Sequence, residues 1–451
     1  MRRRSLLLIP LLMALAPSCI AQEEVAPREP WGLVECIEYA LANSPRLKAE
    51  EHRLSAAGET VREADSADDL KLGLDAAAAV QRPALNLNIP NVGPVVVRPP
   101  RQGSVSVQAA LPIDISGQYR YIRRAARYSE RAQREQYRQA MQQLLLEVID
   151  GYYGVLMGES TVRAAEAAAL EAEEGLRVAR SLRDAGAATD LEVTLAEAGL
   201  ASRIEDLAKA QGAVADGRAH LAALIGLRAD ECPELRDDAL SLEVSLEFEQ
   251  ARALALDERP EIRALSWLAL SLGASADAVH RSTRPSLSLG ALAQAVNPTT
   301  AFTSDTNWQL GLSFSWPISD GGAADAREAR ERENRDAVLR DLEDVRLLTE
   351  VQVHAAGTRL EVLTQRIAAG RATLSSADAA LERIQARESA GAARPLDVLK
   401  ARAARAGASA ALDRDLYERS IALAEWARAF GVIDKLIVPE TALEPERGDA
   451  L

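Results

Sequence analysis

Aromatic residues are scarce in this chain. Its 451 residues include only 4 Phe, 5 Trp and 8 Tyr, although 48% of them are apolar. Compact cores lean on large rings, whereas long helix–helix seams can be built from Ala, Leu and Val. The composition therefore points to an elongated helical protein and away from a globular enzyme. Basic residues are in deficit, with 53 Lys and Arg against 67 Asp and Glu, which argues against a nucleic-acid partner, because phosphate backbones need clustered cations. The four histidines, His52, His220, His280 and His354, are dispersed, with no Cys or carboxylate cluster at metal-ligand spacing. No phosphate-cradling glycine loop or nucleophile motif is present. Asp320-Gly321-Gly322 reads as a strand-to-helix turn in preference to a metal loop. The expectation is a protein without covalent chemistry or cofactor.

Long apolar runs are missing too, with one instructive exception. Arg2, Arg3 and Arg4 precede the apolar stretch Leu6–Ala16, and Cys19-Ile20-Ala21 offers small residues at the −3 and −1 positions. This is the three-part pattern of a secretory signal peptide (1–21), too short to span a bilayer. Cleavage after Ala21 removes three Arg and takes the net charge from −14 to −17. Ala16-Pro17-Ser18-Cys19 is a poor lipoprotein box because Pro17 stands where a small or apolar residue is usual. Beyond the leader no stretch approaches 18 apolar residues, so any membrane crossing falls to strands. Cys36 and Cys232 remain after processing. A bridge between them and a pair of buried thiols are both compatible with export.

What the chain does contain is a copy of itself. At an offset of 215, Tyr39-Ala40-Leu41 falls on Leu254-Ala255-Leu256, Pro45 on Pro260, and Leu72-Gly73-Leu74 on Leu287-Ser288-Leu289. The offset then becomes 205 and stays there: Val105-Ser106-Val107 falls on Leu310-Gly311-Leu312, Pro112 on Pro317, Gly117 on Gly322, Gly186 on Gly391, Val193 on Val398, and Gly226 on Gly431. Ordered landmarks with a single length change indicate a repeat. The change falls in the Pro/Gly/Asn-rich segment Arg82–Gly103, read as a long loop.

Each copy has the same parts. A helix of about 30 residues begins near Cys36 or Ala251, with its proline close to the start. Two period-two strands follow, about 70–80 and 104–111 in the first copy and about 286–296 and 308–316 in the second. A Pro-free stretch, Gln118–Asp184 or Ala323–Ser389, then reads as one helix of on the order of 100 Å. Its apolar seam needs a partner helix. This returns after Ala185-Gly186-Ala187 or Ala390-Gly391-Ala392, giving helical hairpins 118–227 and 323–431. The expected organisation is a first repeat (22–230), a linker (231–250), a second repeat (251–436) and a tail (437–451).

The strands alternate apolar residues with Lys71, Gly73 and Asp75, or with Ser104, Ser106 and Gln108. That pattern suits lipid on one side and water on the other, and equally a half-buried soluble sheet. Export and the long rods favour the membrane. Four strands cannot close a barrel, and open edges are not tolerated in lipid. Two chains would give eight strands around a filled interior; three would give twelve around a channel.

At this point the double repeat resembles the TolC-like outer-membrane efflux family over roughly 31–436. The matching motifs are Ala40-Leu41 through Pro45, Pro317-Ile318-Ser319-Asp320-Gly321-Gly322, and the tips Gly186…Leu191-Glu192-Val193 and Gly391…Leu396-Asp397-Val398. The resemblance implies a mainly α fold with membrane β-strands: a homotrimer forming a 12-stranded β-barrel in outer-membrane lipid, continuous with a periplasmic α-barrel. It implies a passive efflux or type I secretion conduit, with a periplasmic adaptor and an inner-membrane transporter as partners. The other reading, a periplasmic adaptor or structural coiled coil, lacks a repeat containing strand pairs. On the same resemblance Leu182, Arg183, Ala185, Gly186, Ala187, Arg387, Ala390, Gly391 and Ala392 are adaptor-docking tips. Glu192, Asp397 and Lys400 mark the pore entrance, with Asp397 in a ring of carboxylates; Lys400 stands where the family has a second acid, so that a pair of Lys400 with Asp397 locking the closed state is the alternative to a double acidic ring. The −17 charge, three times over, predicts a preference for cations.

Overall fold

The computed structural model describes residues 30–90, 93–238, 248–300 and 304–437. The expected signal peptide with Cys19, residues 239–247 of the expected linker, and the tail beyond Ile437 lie outside the described residues. Each half of the chain opens with two helices where the sequence suggested one. These are α1 (Leu33–Asn43) and α2 (Pro45–Asp65) in the first half, α5 (Phe248–Glu258) and α6 (Pro260–Arg281) in the second. The breaks have a local cause. Proline disfavours the helical region for the residue before it, and Ser44 and Arg259 sit at ψ 119° and 125°. Pro45 and Pro260 then start new helices, where a missing N–H costs nothing.

The strands β1 (Lys71–Val80), β4 (Arg101–Ile113), β5 (Ser286–Asn297) and β6 (Thr306–Ser315) form one antiparallel sheet in the order β1-β4-β5-β6. Its edges, β1 and β6, are unpaired within the chain. The segment 82–103 is not the plain loop its prolines suggested. It carries a hairpin of its own, β2 (Leu85–Ile89) against β3 (Gly93–Arg98). The alternation Leu85-Asn86-Leu87-Asn88-Ile89 overrides the flanking prolines, which stay outside β2.

Four helices make the rods: α3 (Gln118–Asp184) with α4 (Asp190–Ile225), and α7 (Ala323–Ser389) with α8 (Pro395–Ala429). At 67 residues each, α3 and α7 are roughly 100 Å long. Both follow a glycine in the left-handed region, Gly117 and Gly322. Asp320 anchors the start of α7 by accepting from the amides of Gly322, Ala323 and Ala324 at 3.0, 3.1 and 2.7 Å, which is the work of a turn. Among the described residues no helix is long and apolar enough to cross a membrane.

Helices α6 and α8 lie end to end between α3 and α7, touching both. The main core gathers Leu33 and Ile37 of α1, the Met141–Leu156 face of α3, Leu221 and Ile225 of α4, and Tyr417 and Ile421 of α8. Burying a side chain such as Leu145 stabilises the fold by about 1.5–3 kcal/mol. A smaller cluster joins Ala251 and Ala255 of α5 to Val353, Trp426 and Phe430. The two halves are also clamped by charge through the final helix α9 (Ile433–Ile437). Arg138 of α3 meets Asp434 at 2.7 Å, and Gln142 donates to Asp434 at 2.7 Å and to the Gly431 carbonyl at 2.9 Å. Cys36 and Cys232 are free thiols; burial pushes the pKa of Cys36 up to about 12.

The returning helices end on glycines in matching places. Gly226 packs on the Asn43 backbone and Gly431 on Glu258 and Arg259, each at the break between two opening helices. A Cβ on Gly431 would fall 2.8 Å from the Glu258 carbonyl oxygen, whereas one on Gly391, also at positive φ, would meet nothing. Gly391→Ala should therefore show only the left-handed backbone penalty, about 1 kcal/mol. Gly431→Ala adds a backbone clash and should lower the melting temperature distinctly more. Thermal unfolding of the two variants side by side checks this, and equal losses would contradict the packing described.

Candidate functional site

Three surfaces stand out, and the first is the sheet. Antiparallel register fixes which residues share a face. Leu72 lies opposite Ala109, Leu74 opposite Val107, Val107 opposite Ala293, Leu287 opposite Phe314, and Ala293 opposite Trp308. One face is therefore Leu, Val, Ala, Phe and Trp from edge to edge. The other carries Asp75, Ser106, Gln294 and Asn307 in one transverse row, with Gln108 donating to Asp75 at 2.5 Å. The apolar face is not covered by the chain: Leu72 is 71% exposed, Trp308 82% and Leu312 65%. Apolar surface of this extent on a folded chain marks a lipid or protein contact.

The second surface is the pair of hairpin tips. Each long helix ends in a left-handed glycine turn. The Gly186 amide donates to Arg183 O at 2.8 Å and the Ala187 amide to Leu182 O at 2.8 Å; Gly391 and Ala392 donate to Glu388 O and Arg387 O at 2.8 and 2.7 Å. These bonds satisfy carbonyls that a helix end leaves unpaired. Ala185, Gly186, Ala187, Ala390, Gly391 and Ala392 are all exposed. The arginines at the two tips are engaged differently. Arg183 pairs with Asp184 at 2.7 Å, while Arg387 donates to the Ala392 carbonyl at 3.2 Å. The first tip is also the more apolar, since Leu182, Leu191 and Leu195 are exposed where the second has Arg387, Leu396 and Lys400. The two tips are staggered. Leu396, two residues into α8, lies against Gly175 of α3, ten residues before α3 turns.

The third surface is the start of each returning helix, and here the geometry changes the reading. Glu192 does not stand free. Its carboxylate accepts from the Thr189 amide at 2.6 Å and from the Thr189 hydroxyl at 3.0 Å, while the Glu192 amide donates to Thr189 Oγ1 at 3.3 Å. This reciprocal cap satisfies two unpaired helix donors. The Thr189 backbone bond, then its hydroxyl bond, hold the Glu192 pKa below the usual carboxylate range. Asp397 behaves alike, accepting from the Arg394 amide at 3.2 Å, and the cation paired with it is Arg394 at 3.6 Å, not Lys400. The physical reason is direction: the unpaired Arg394 amide at the helix start draws the Asp397 carboxylate back towards the cap, beside the Arg394 side chain and away from Lys400, which lies three residues on along α8. Thr189 was readable from the Thr-x-x-Glu signature; Arg394 was not, because arginine is no ordinary capping residue. Val193 and Val398, next to these carboxylates, are buried and anchor both helix starts.

The arrangement offers apolar strands, exposed turns and capped charged helix starts. A family model described as outer membrane efflux protein matches residues 36–227 and again 251–432. Outer membrane efflux protein BepC of Brucella suis biovar 1 (strain 1330) is 25% identical over 272 residues, 60% of this chain and 59% of that protein. The matched stretch is thus less than two thirds of this relative's length. The fold is similar to that of the Campylobacter jejuni CmeC outer membrane channel, with TM-score 0.75 and 19% identity over 88% of this chain and 85% of the other. It is similar also to the outer membrane protein VceC of Vibrio cholerae, with TM-score 0.70 and 20% identity over 88% and 96%. Two matches to one family model, covering most of the chain and set on a fold shared with outer-membrane channels, show that this protein belongs to the outer membrane efflux protein family.

Proposed function

We propose that the chain is one third of an outer-membrane channel that passively conducts substrate outward, as the exit duct of a tripartite efflux pump or a type I secretion system. The observation that carries this reading is a four-stranded sheet with a predominantly apolar exposed face, polar on that side only towards the hairpin ends at Arg101, Asn297 and Thr306, and two edges unpaired among the described residues. In lipid such edges must find partners. The repeat says which. At offsets of 215 for first strands and 205 for second strands, the β1–β4 pairs Leu72/Ala109 and Leu74/Val107 map onto the β5–β6 pairs Leu287/Phe314 and Leu289/Leu312. Applying the same offsets to the β4–β5 pairs Val107/Ala293 and Ala109/Ala291 makes Leu312 of β6 face Ala78 of the next copy's β1, and Phe314 face Ala76.

The helices support the same closure. Among the described residues α3 packs on α1, α2 and α4 of its own half and on α6 and α8 of the other, whereas α7 packs on α5, α6 and α8 of its own half. The counterparts of α6 and α8 around α7 would be α2 and α4 of a neighbouring copy. Leu347, Leu348, Val351 and Val362 of α7 stay exposed for that contact. Three copies give twelve strands, the smallest of these closures with an open interior, and a periplasmic helical cylinder beneath it. The hairpin tips Leu182–Ala187 and Arg387–Ala392 would then dock a periplasmic adaptor, which couples the duct to an inner-membrane transporter.

Asp397, Lys400 and Glu192 remain the candidate entrance residues, in altered roles. Because Arg394 and Lys400 flank Asp397, a ring of three Asp397 carboxylates would be largely balanced. Divalent cations should block weakly.

Three outcomes follow. A chain carrying Ala78→Cys and Leu312→Cys should cross-link into dimers and trimers under oxidation, and each single variant should not; absence of cross-linking in membranes would overturn the closure. Lys400→Ala should strengthen block of single-channel current by magnesium several-fold and Asp397→Ala should abolish it; unchanged block in both would remove these residues from the entrance. Glu192 has its folded pKa lowered, so its capping contribution is present above the unfolded value of about 4.5 and lost as pH falls through the folded value. Hydrogen-exchange protection of the 189–193 amides should decline in acid for the wild type and stay level in Glu192→Gln. A matching decline in both would contradict the cap.

A further inference from the structure

Arg259 is the residue before Pro260, at the elbow between α5 and α6, and only 6% of it is exposed. Among the described residues its guanidinium makes one hydrogen bond, from Nη1 to Thr349 Oγ1 at 2.9 Å. Its Nε is buried without a partner. Among the described residues no carboxylate comes within ion-pair distance of it, in contrast with its neighbours: Arg359 pairs with Glu425, and Arg428 reaches Glu261 at 3.8 Å. Burial lowers the Arg259 pKa; Glu261 opposes this and Arg428 reinforces it. Arg428 also has a buried Nε with no partner.

These three arginines and two glutamates line a single cavity of about 380 Å³ where the start of α6 meets the end of α8. Three guanidinium groups against two carboxylates leave one positive charge uncompensated. The N-terminus of the 22-residue α6 adds further positive potential there. A buried charge is ordinarily paired, because desolvation is costly without a counter-ion.

The cavity also has a direction. Glu350 and Val353 of α7 face α5, through Arg252–Glu350 at 2.8 Å and the Val353 cluster. Stepping round the helix at about 100° per residue, Ala356, Gln352 and Arg359 follow in turn on the side away from Glu350, and these line the cavity. It therefore opens on the face of the helical wall opposite α5.

We propose that this cavity is a binding site for a small oxyanion, a carboxylate or phosphate group gripped by Arg259 and Arg428. Planar guanidinium forks match both groups in geometry and charge. The cavity is many times the roughly 30 Å³ share of a liquid water, which leaves room for the ligand's own body or its waters. The site rests on the packing of this one chain. Its placement in the lumen rests on the channel reading, with α5 outside the ring.

The test titrates the purified full chain in detergent with inorganic phosphate and, separately, with acetate, both against chloride at equal ionic strength, by calorimetry. Saturable binding of one anion per chain is expected, with the stronger of the two identifying the ligand chemistry. Arg428→Gln should weaken that binding at least tenfold. Arg259→Gln should abolish it and raise the melting temperature in chloride, because the uncompensated charge is gone. If Arg259→Gln does not fold, the partly exposed Arg428 carries the test. No saturable binding of either anion to the wild type, or binding unchanged in Arg428→Gln, would overturn the proposal. Binding by a protein that carries no current in a planar bilayer would count against the channel alone.

Discussion

A strand edge cannot be left unpaired in hydrocarbon, and the rest of this structure is organised around that constraint. Water can satisfy open backbone groups; lipid cannot. A sheet whose apolar face is exposed and whose β1 and β6 edges are open would therefore, in lipid, be one part of something larger. On the proposed closure, the seam between the two halves of one chain, β4 with β5 and α3 with α6 and α8, would be the pattern for the seam between chains. The two seams need not be equal in strength. Within the chain the seam is reinforced by Arg138, Gln142 and Asp434. The positions that correspond to Arg138 and Gln142 on α7 are Glu343 and Leu347, so a contact between copies would have to rely on other chemistry.

Much of this was legible in the sequence because the signals are local. Glycine followed by small residues marked both rod ends, and Gly186 and Gly391 occupy the left-handed turns. Period-two alternation located four of the six strands. The β2–β3 hairpin was missed because prolines were weighed above the alternation of Leu85, Leu87 and Ile89. The single opening helix became two because proline acts on its predecessor, and Ser44 and Arg259 leave helical geometry. At the candidate site the place of Glu192 and Asp397 at the helix starts just past the tips could be read from the sequence; their capping bonds could not, because unpaired amides at a helix start compete for these carboxylates. That competition is decided by distances of a few ångströms and leaves no mark on composition.

The same holds for charge. Net acidity suggested a duct that favours cations, but a net figure averages over surfaces that never meet the solute. The arginine-lined cavity at the α6–α8 junction is locally positive within an acidic protein. Arg394 tempers Asp397 in the same way. Selectivity in such a duct would be set by short stretches of wall and not by the sum.

Closure by three copies is open to native mass measurement of the protein extracted from membranes in mild detergent. A single species with the mass of three processed chains, separating into monomers on heating, is expected. A stable folded monomer, or a closed dimer, would rule the three-copy closure out.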